Sequence, residues 1–480
     1  MGFLLAVPLL FSLLLFAMKD DFVLNKKIAL SGSLLTFAIA TAMLFRYLVN
    51  PSGYPAFHPD IFHSIGIEFT LGLDGLSMLL VLLTTFLVPL IIYSGFGNGV
   101  GRRNSFYALI MLMEMALIGV FTSTDVLLFY VFWELALIPI FFLAILWGGQ
   151  NARAITFKFF LYTLVGGLLM LVAIVYIYVQ TPGDHSFAYA EFYKVVLTPH
   201  SQRWLFLAFF LAFAIKIPIF PFHTWQPDLY FTAPTQGTML LAGIMLKMGV
   251  FGLFRFIMPM FPEVLNDLGL YAIILAVTGI VYSSVIAIHQ KELKRLIAYS
   301  SLAHVGLIAA GVFSMTMNGM EGAMIQMISH GVNIFGLFFC YEIIVRRTKT
   351  GEISSLGGIA SKAPVFAGFF MVIMLGSISL PLTNSFIGEF LLLQGIFQFN
   401  GYLAAVAGLT IILGAVYMLW MYQRTMYGEV KEATAGFTDL TLQEIIVLVP
   451  VVVIILWIGV YPHMFLQIAE PAVKSIMQLQ

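Results

Sequence analysis

The sequence carries one cysteine, Cys340. A lone thiol allows no intrachain disulfide, no four-cysteine zinc site and no iron–sulfur cluster. Charge is almost as scarce. Acidic and basic residues make up 10% of the 480 positions, against about a quarter in a soluble chain. A buried core does not account for so large a deficit. With 61% hydrophobic residues and a mean hydropathy of +1.00, the medium around most of this chain is lipid. The 23 basic residues are matched by 23 acidic ones, so there is no basic field to hold nucleic acid. No Lys or Arg precedes the first apolar stretch, 2–18; the first basic residue, Lys19, follows it. A cleaved secretory signal has the reverse order, so this stretch is expected to be a retained span. No soluble domain fits between the apolar runs, whose longest gaps are 49–75 and 181–203. No nucleophile–base triad and no metal-ligand spacing is present. The glycine-rich loop Gly95–Gly101 has no strand ahead of it and is not expected to bind a nucleotide.

A membrane-crossing helix needs about 20 mostly apolar residues. Such runs lie near 2–18, 28–48, 76–95, 105–122, 126–147, 156–180, 204–228, 237–258, 269–289, 296–314, 320–346, 365–400, 402–427 and 441–465. The fold class expected is therefore all-α integral membrane, with about fourteen transmembrane helices. Basic residues should collect in alternate loops, on the cytoplasmic side. Sixteen fall in one set of loops (Lys19, Lys26, Lys27, Arg102, Arg103, Arg153, Lys158, Lys291, Lys294, Arg295, Arg346, Arg347, Lys349, Lys362, Arg424 and Lys431). Five fall in the other set, and the remaining two of the 23, Lys216 and Lys247, lie inside spans. This asymmetry places both termini on the outer side.

Two spans are interrupted. The seventh reads Lys216-Ile217-Pro218-Ile219-Phe220-Pro221-Phe222-His223, and two prolines three apart break a helix. The twelfth carries Pro381 with Thr383, Asn384 and Ser385, and is too long for one straight crossing. Singly, each reads as a proline kink. As a pair five spans apart they cross in opposite senses, which suggests an inverted repeat. The organisation expected is 1–104 for the first three helices, 105–258 for a first five-helix repeat and 259–427 for a second, inverted one. Residues 428–480 then hold the last helix. Irregular backbone at this depth lines protein or a water-filled cavity.

A charge at the bilayer centre costs at least about 2.5–3.5 kcal/mol. At about 1.5 Å per residue, Glu114, Glu134, Lys216, Lys247, His304, His330 and Glu389 fall well inside their spans. Each has a plainer reading. A single membrane histidine is more often a hydrogen-bonded packing residue, and a single Glu or Lys can staple two helices. Glu342 and Arg255 lie near span ends, where they can snorkel, and Asp125 and Asp228 read as helix-end groups. The set is harder to explain as staples. All seven groups lie between the fourth and twelfth spans, with none on the first three or the last. A file of such groups bridged by water is what a proton relay needs. Glu134 is the natural partner of Lys216. At about 4 Å and an effective dielectric near 20 their attraction is about 4 kcal/mol. Moving one charge against roughly 150–200 mV takes roughly 3.5–4.6 kcal/mol, so opening one such pair matches one proton step.

The run from Ala214 to Gly252, AIKIPIFPFHTWQPDLYFTAPTQGTMLLAGIMLKMGVFG, resembles the antiporter-like membrane subunits of NADH–quinone oxidoreductase, respiratory complex I. So does KELKRLIAYSSLAHVG at Lys291–Gly306. The likeness covers essentially the whole chain and points to the subunit M (chain 4) family. Glu389 stands in Gly388-Glu389-Phe390, where sibling subunits usually carry lysine, and little chain follows the last span to build a lateral helix. The resemblance implies two inverted five-helix bundles that pump protons while quinone is reduced elsewhere in the complex. Glu134 would modulate Lys216, Lys247 would be the central relay, His304 and His330 would bridge it to Glu389, and Glu114 would couple toward a neighbouring subunit. It implies no cofactor and no metal on this chain. FMN, iron–sulfur clusters, NADH and quinone are expected on partner subunits. The partners implied are neighbouring antiporter-like subunits, a lateral helix from the largest of them, and the lipid of a bacterial cytoplasmic (inner) membrane. Subunits of cation/proton antiporters and of energy-converting hydrogenases share these motifs and are the alternative.

Overall fold

Apolar runs in lipid must satisfy their own backbone hydrogen bonds, and with no closed sheet available the solution is helix. The computed structural model describes residues 1–49, 69–95, 102–183 and 185–478. Most of the glycine-rich loop, at 96–101, and most of the first long gap lie outside them. Among the described residues there is no strand, only three isolated bridges. The helices are α1 (Gly2–Ala17), α2 (Phe22–Val49), α3 (Gly75–Ser94), α4 (Arg103–Thr122), α5 (Val126–Trp147, with a local break at Ala136) and α6 (Ala152–Gln180). They continue as α7 (Pro199–Lys216), α8 (Gln226–Thr232), α9 (Thr235–Met260), α10 (Pro262–Ile288), α11 (Leu293–Phe313) and α12 (Met317–Thr348). The last are α13 (Pro364–Ser377), α14 (Asn384–Phe399), α15 (Gly401–Met426), α16 (Leu442–Val460) and α17 (His463–Gln478). Among the described residues, eleven helices are long and apolar enough to cross a membrane, and α1 and α13 are shorter apolar helices.

Short polar side chains start these helices by accepting from orphan backbone N–H groups. Asp74 accepts from Ser77 N before α3, Asp125 from Leu128 N before α5, and Thr316 from Gly319 N before α12. Thr441 and Glu444 form a reciprocal box at α16. The seventh apolar run is split: α7 ends at Lys216, Pro218 and Pro221 lie in a non-helical stretch, and α8 resumes at Gln226. The twelfth is split between α13 and α14, with Pro381 in the gap. There Ser379 (φ 61°) and Leu382 (φ 73°) adopt left-handed backbone, strained for residues with a side chain. The run expected at 441–465 is shorter than the sequence suggests. It stops at Val460, because Pro462 cannot continue the hydrogen-bond ladder, and an amphipathic helix, α17, follows.

The chain divides into two compact units. The first comprises Met1–Ile217, Ile244–Leu268 and Ile468–Gln480. The second comprises Pro218–Gly243 and Gly269–Gln467. In the first unit α4 is almost wholly buried, while α2 and α6 leave broad apolar faces exposed, as lipid-facing helices do. In the second unit α11 and α12 are the enclosed helices, and α15 and α16 are peripheral.

Candidate proton-transfer site

The first unit holds four of the seven singled-out groups. Lys216 is the last residue of α7 and is 1% exposed. Its Nζ lies 4.6 Å from the centre of the Trp133 ring on α5, a cation–π contact in an apolar setting. Glu134 follows Trp133 and is electrostatically linked to Lys216. The close ion pair expected from sequence is not formed, since Lys216 Nζ makes no hydrogen bond and Glu134 Oε1 is likewise buried without one. The reason is visible on α6. The Glu134 carboxylate fills the notch left by Gly167, where a Cβ would stand 1.9 Å from Oε1. A buried polar atom left without a partner costs about 1–3 kcal/mol, and a bridging water is the usual remedy.

Glu114 is fully buried on α4, with neither carboxylate oxygen hydrogen-bonded. Lys247 is 1% exposed on α9. Two stretches of π-helical turn, Leu241–Met245 and Leu253–Ile257, flank it. Such widened turns are uncommon in helices and frequent at functional sites.

The second unit brings the other three together. His304 Nδ1 on α11 is 2.7 Å from Glu389 Oε1 on α14. Gln326 Nε2 on α12 donates to the same oxygen at 3.3 Å. The His330 ring is 6.2 Å from that of His304, and its Nε2 lies 3.0 Å from Ser301 Oγ. Between them is a small polar cavity, lined by Ser300, both histidines, Gln326, Asn333 and Ser385, with about 10 Å³ of free space. That is room for about one water molecule. His304 Nε2, Ser300 Oγ and Gln326 Oε1 are buried here without a hydrogen-bond partner, which supplies the polar contacts such a water needs. Asn333 ties the cavity to the break between α13 and α14, donating to Asn384 Oδ1 (3.1 Å) and Ser385 Oγ (2.9 Å).

Sequence reasoning missed the uncharged members: Gln326, Asn333, Ser300 and Ser301. A signal was there. Gln326, His330 and Asn333 are spaced four and three apart, which puts them on one helix face. Other buried ionic contacts are structural. Arg255 does not snorkel. It is ion-paired at 2.6 Å with Asp74 and donates to Ser77 Oγ at 3.1 Å, because Asp74 already caps α3 beside it. Glu342 accepts from Thr235. Lys294 is buried and caps the end of α8, donating to the carbonyls of Phe231 (3.1 Å) and Ala233 (2.6 Å). Glu444 is fully buried against Arg346 and Arg347.

The chain as a whole resembles known proteins. Residues 123–414 match the family model described as NADH:quinone oxidoreductase/Mrp antiporter, transmembrane. A NADH-quinone oxidoreductase subunit M of Rickettsia typhi is 40% identical over 456 residues, covering 94% of this chain and 91% of the relative. A chain of the respiratory complex I from Thermus thermophilus with bound NADH superposes with a TM-score of 0.91 at 33% identity, covering 99% of this chain and 98% of that one. A chain of the Mrp complex from a Dietzia species superposes at 0.87 but is only 17% identical, over 98% and 96% of the two chains, and shares the fold alone.

Proposed function

Since this chain belongs to the subunit M family of NADH–quinone oxidoreductase, we propose that it moves protons along its buried ionisable groups as a pumping subunit of that translocase. Two groups of side chains do the work. In the first unit, the state of Glu134 sets whether Lys216 holds its proton, and Lys247 is the central relay. In the second, His330 and His304 pass the proton to Glu389, which leads outward. Glu114 couples to a neighbouring subunit. The observation that carries this reading is the direct His304–Glu389 contact beside a water-sized polar cavity. A mere staple needs no adjoining cavity. Proton passage does, because imidazole, carboxylate and water hand protons along hydrogen bonds.

Two further features belong to this reading. Spans 4–8 and 9–13 form inverted repeats, and the paired helix breaks give irregular backbone where a cavity needs it. Both termini lie on the periplasmic side of a bacterial inner membrane, as the loop charges indicate. NADH, FMN, iron–sulfur clusters and quinone are held by partner subunits, and a lateral helix from the largest antiporter-like subunit lies against this one. The test is to replace Glu134 and then Lys247 with Ala in the assembled complex. Both changes should abolish proton uptake driven by NADH in membrane vesicles. Pumping that survives both at normal stoichiometry overturns the path.

A further inference from the structure

In the second unit, the C-terminal end of α15 carries an open groove that the proton path does not use. Its lining includes Trp420, Gln423, Arg424, Tyr427, Glu429 and Lys431, around a volume of about 350 Å³. Arg424 is the element that gives it direction. Its guanidinium carbon lies over the Trp420 ring, 4.1 Å from the ring centre, and Nε donates to the Trp420 carbonyl at 3.3 Å. The cation–π contact and this hydrogen bond orient the fork before any ligand arrives. Nη2 makes no hydrogen bond within the chain, so the cation keeps unused donors. Lys431 stands across the groove, held by the Ser354 carbonyl.

The surface leading to the groove is apolar. Ile412, Val416, Leu419 and Trp420 are all exposed on α15. Their spacing of four, three and one continues to Gln423, Arg424 and Tyr427, which places them on one helix face. A greasy stripe about three turns long thus ends at an oriented cation, on the Lys- and Arg-rich side of the chain. The charges of Arg424, Lys431 and Glu429 sum to one positive, and that lipid-facing position selects an amphiphile over a dissolved ion.

We propose that this groove is a binding site for an anionic phospholipid of the phosphatidylglycerol type. The phosphodiester seats on Arg424, an acyl chain runs along Ile412, Val416 and Leu419, and Glu429 accepts from a headgroup hydroxyl. The single negative charge of the lipid balances the site, and its glycerol hydroxyls are donors that a choline headgroup lacks.

The experiment is photolabelling of the assembled complex in membranes with phosphatidylglycerol bearing a diazirine on one acyl chain, mapped by peptide mass spectrometry. Labelling is expected on the Ile412–Leu419 segment. Arg424→Gln should lower it by about tenfold, the loss of one charge-assisted hydrogen-bonded contact, while Arg424→Lys retains part of it. On the unmodified complex, excess unlabelled phosphatidylglycerol should compete, and phosphatidylcholine or inorganic phosphate should not. Equal competition by phosphatidylcholine, or labelling unchanged in Arg424→Gln, overturns the proposal. So does protection of the segment by cross-linking to another subunit, which makes the groove a protein interface. Proton pumping is measured alongside. A site lost with pumping intact separates this proposal from the proton path.

Discussion

His304 Nδ1 and Glu389 Oε1 meet at 2.7 Å, both residues being almost fully buried. A hydrogen bond at this distance is shared by one hydrogen, which either the ring or the carboxyl can donate. Glu389→Gln keeps the shape and can still receive a hydrogen bond, but it cannot give up or accept a proton. We expect quinone-dependent NADH oxidation and proton uptake to fall together by about a hundredfold or more, the lower end for losing a proton-transfer group. NADH oxidation by an artificial acceptor, which reads assembly of the redox partners, should stay normal. Glu389→Asp should recover part of the loss. Wild-type proton uptake in the Gln variant would remove Glu389 from the path.

Gly167 tests the other group of side chains without touching a charge. A Cβ at this position would lie 1.9 Å from Glu134 Oε1, far inside contact distance. Gly167→Ala must therefore push the carboxylate out of its notch and change its distance from Lys216. Proton uptake should fall while the chain still inserts and assembles. Shortening the acid by one methylene relieves the clash, so Gly167→Ala combined with Glu134→Asp should pump better than Gly167→Ala alone. A double variant no better than the single one would mean that the notch does not position Glu134.

The membrane class was legible in the sequence, because hydropathy over about 20 residues determines it. Rotation was not. Periodicity marks weakly which face of a helix is inward when lipid is as apolar as a core, and α6, for example, is apolar all round. Thus Glu134 and Lys216 could be matched, but not the notch at Gly167 that keeps them from a close pair. Gln326 and Asn333 were passed over because uncharged polar residues cost little in a span and raise no alarm. The end of α16 was misjudged because Tyr461, Met464 and Phe465 extend the apolar run past Pro462.

Asp74, at the head of α3, gives a pH signature. Burial pushes its carboxyl pKa up, but the Arg255 guanidinium and the Ser77 N–H outweigh burial and hold it below its ordinary value. An acid depressed in this way stabilises the fold fully above its unfolded pKa of about 3.9. That stability is lost as pH falls through the lower, folded value. Asp74→Asn should cost roughly 1–2 kcal/mol, less than a sealed pair because the aspartate is part exposed. Thermal unfolding of the detergent-solubilised complex should show a constant gap between variant and parent from neutral pH down to about 5. The gap should close only in stronger acid. Closure near neutrality would mean that another group controls this contact.

Gly459 on α16 guards the break between α13 and α14. A Cβ there would stand 2.2 Å from the Leu382 carbonyl oxygen and 2.6 Å from the Thr383 carbonyl carbon. Both are backbone atoms, so no side chain can swing aside. Leu382 already sits at a left-handed φ, and α14 starts two residues later, carrying Glu389 on its second turn. Gly459→Ala should therefore displace the break, cost about 1–3 kcal/mol of stability as overpacking does, and disturb the His304–Glu389 contact. Gly368 on α13 meets nothing within 4 Å of its virtual Cβ. Gly368→Ala should be neutral or slightly stabilising, by up to about 1 kcal/mol in a helix interior. Measured side by side, only Gly459→Ala should lower both the melting temperature and proton uptake. Equal behaviour of the two would mean that the close approach at Leu382 does not hold Glu389 in place.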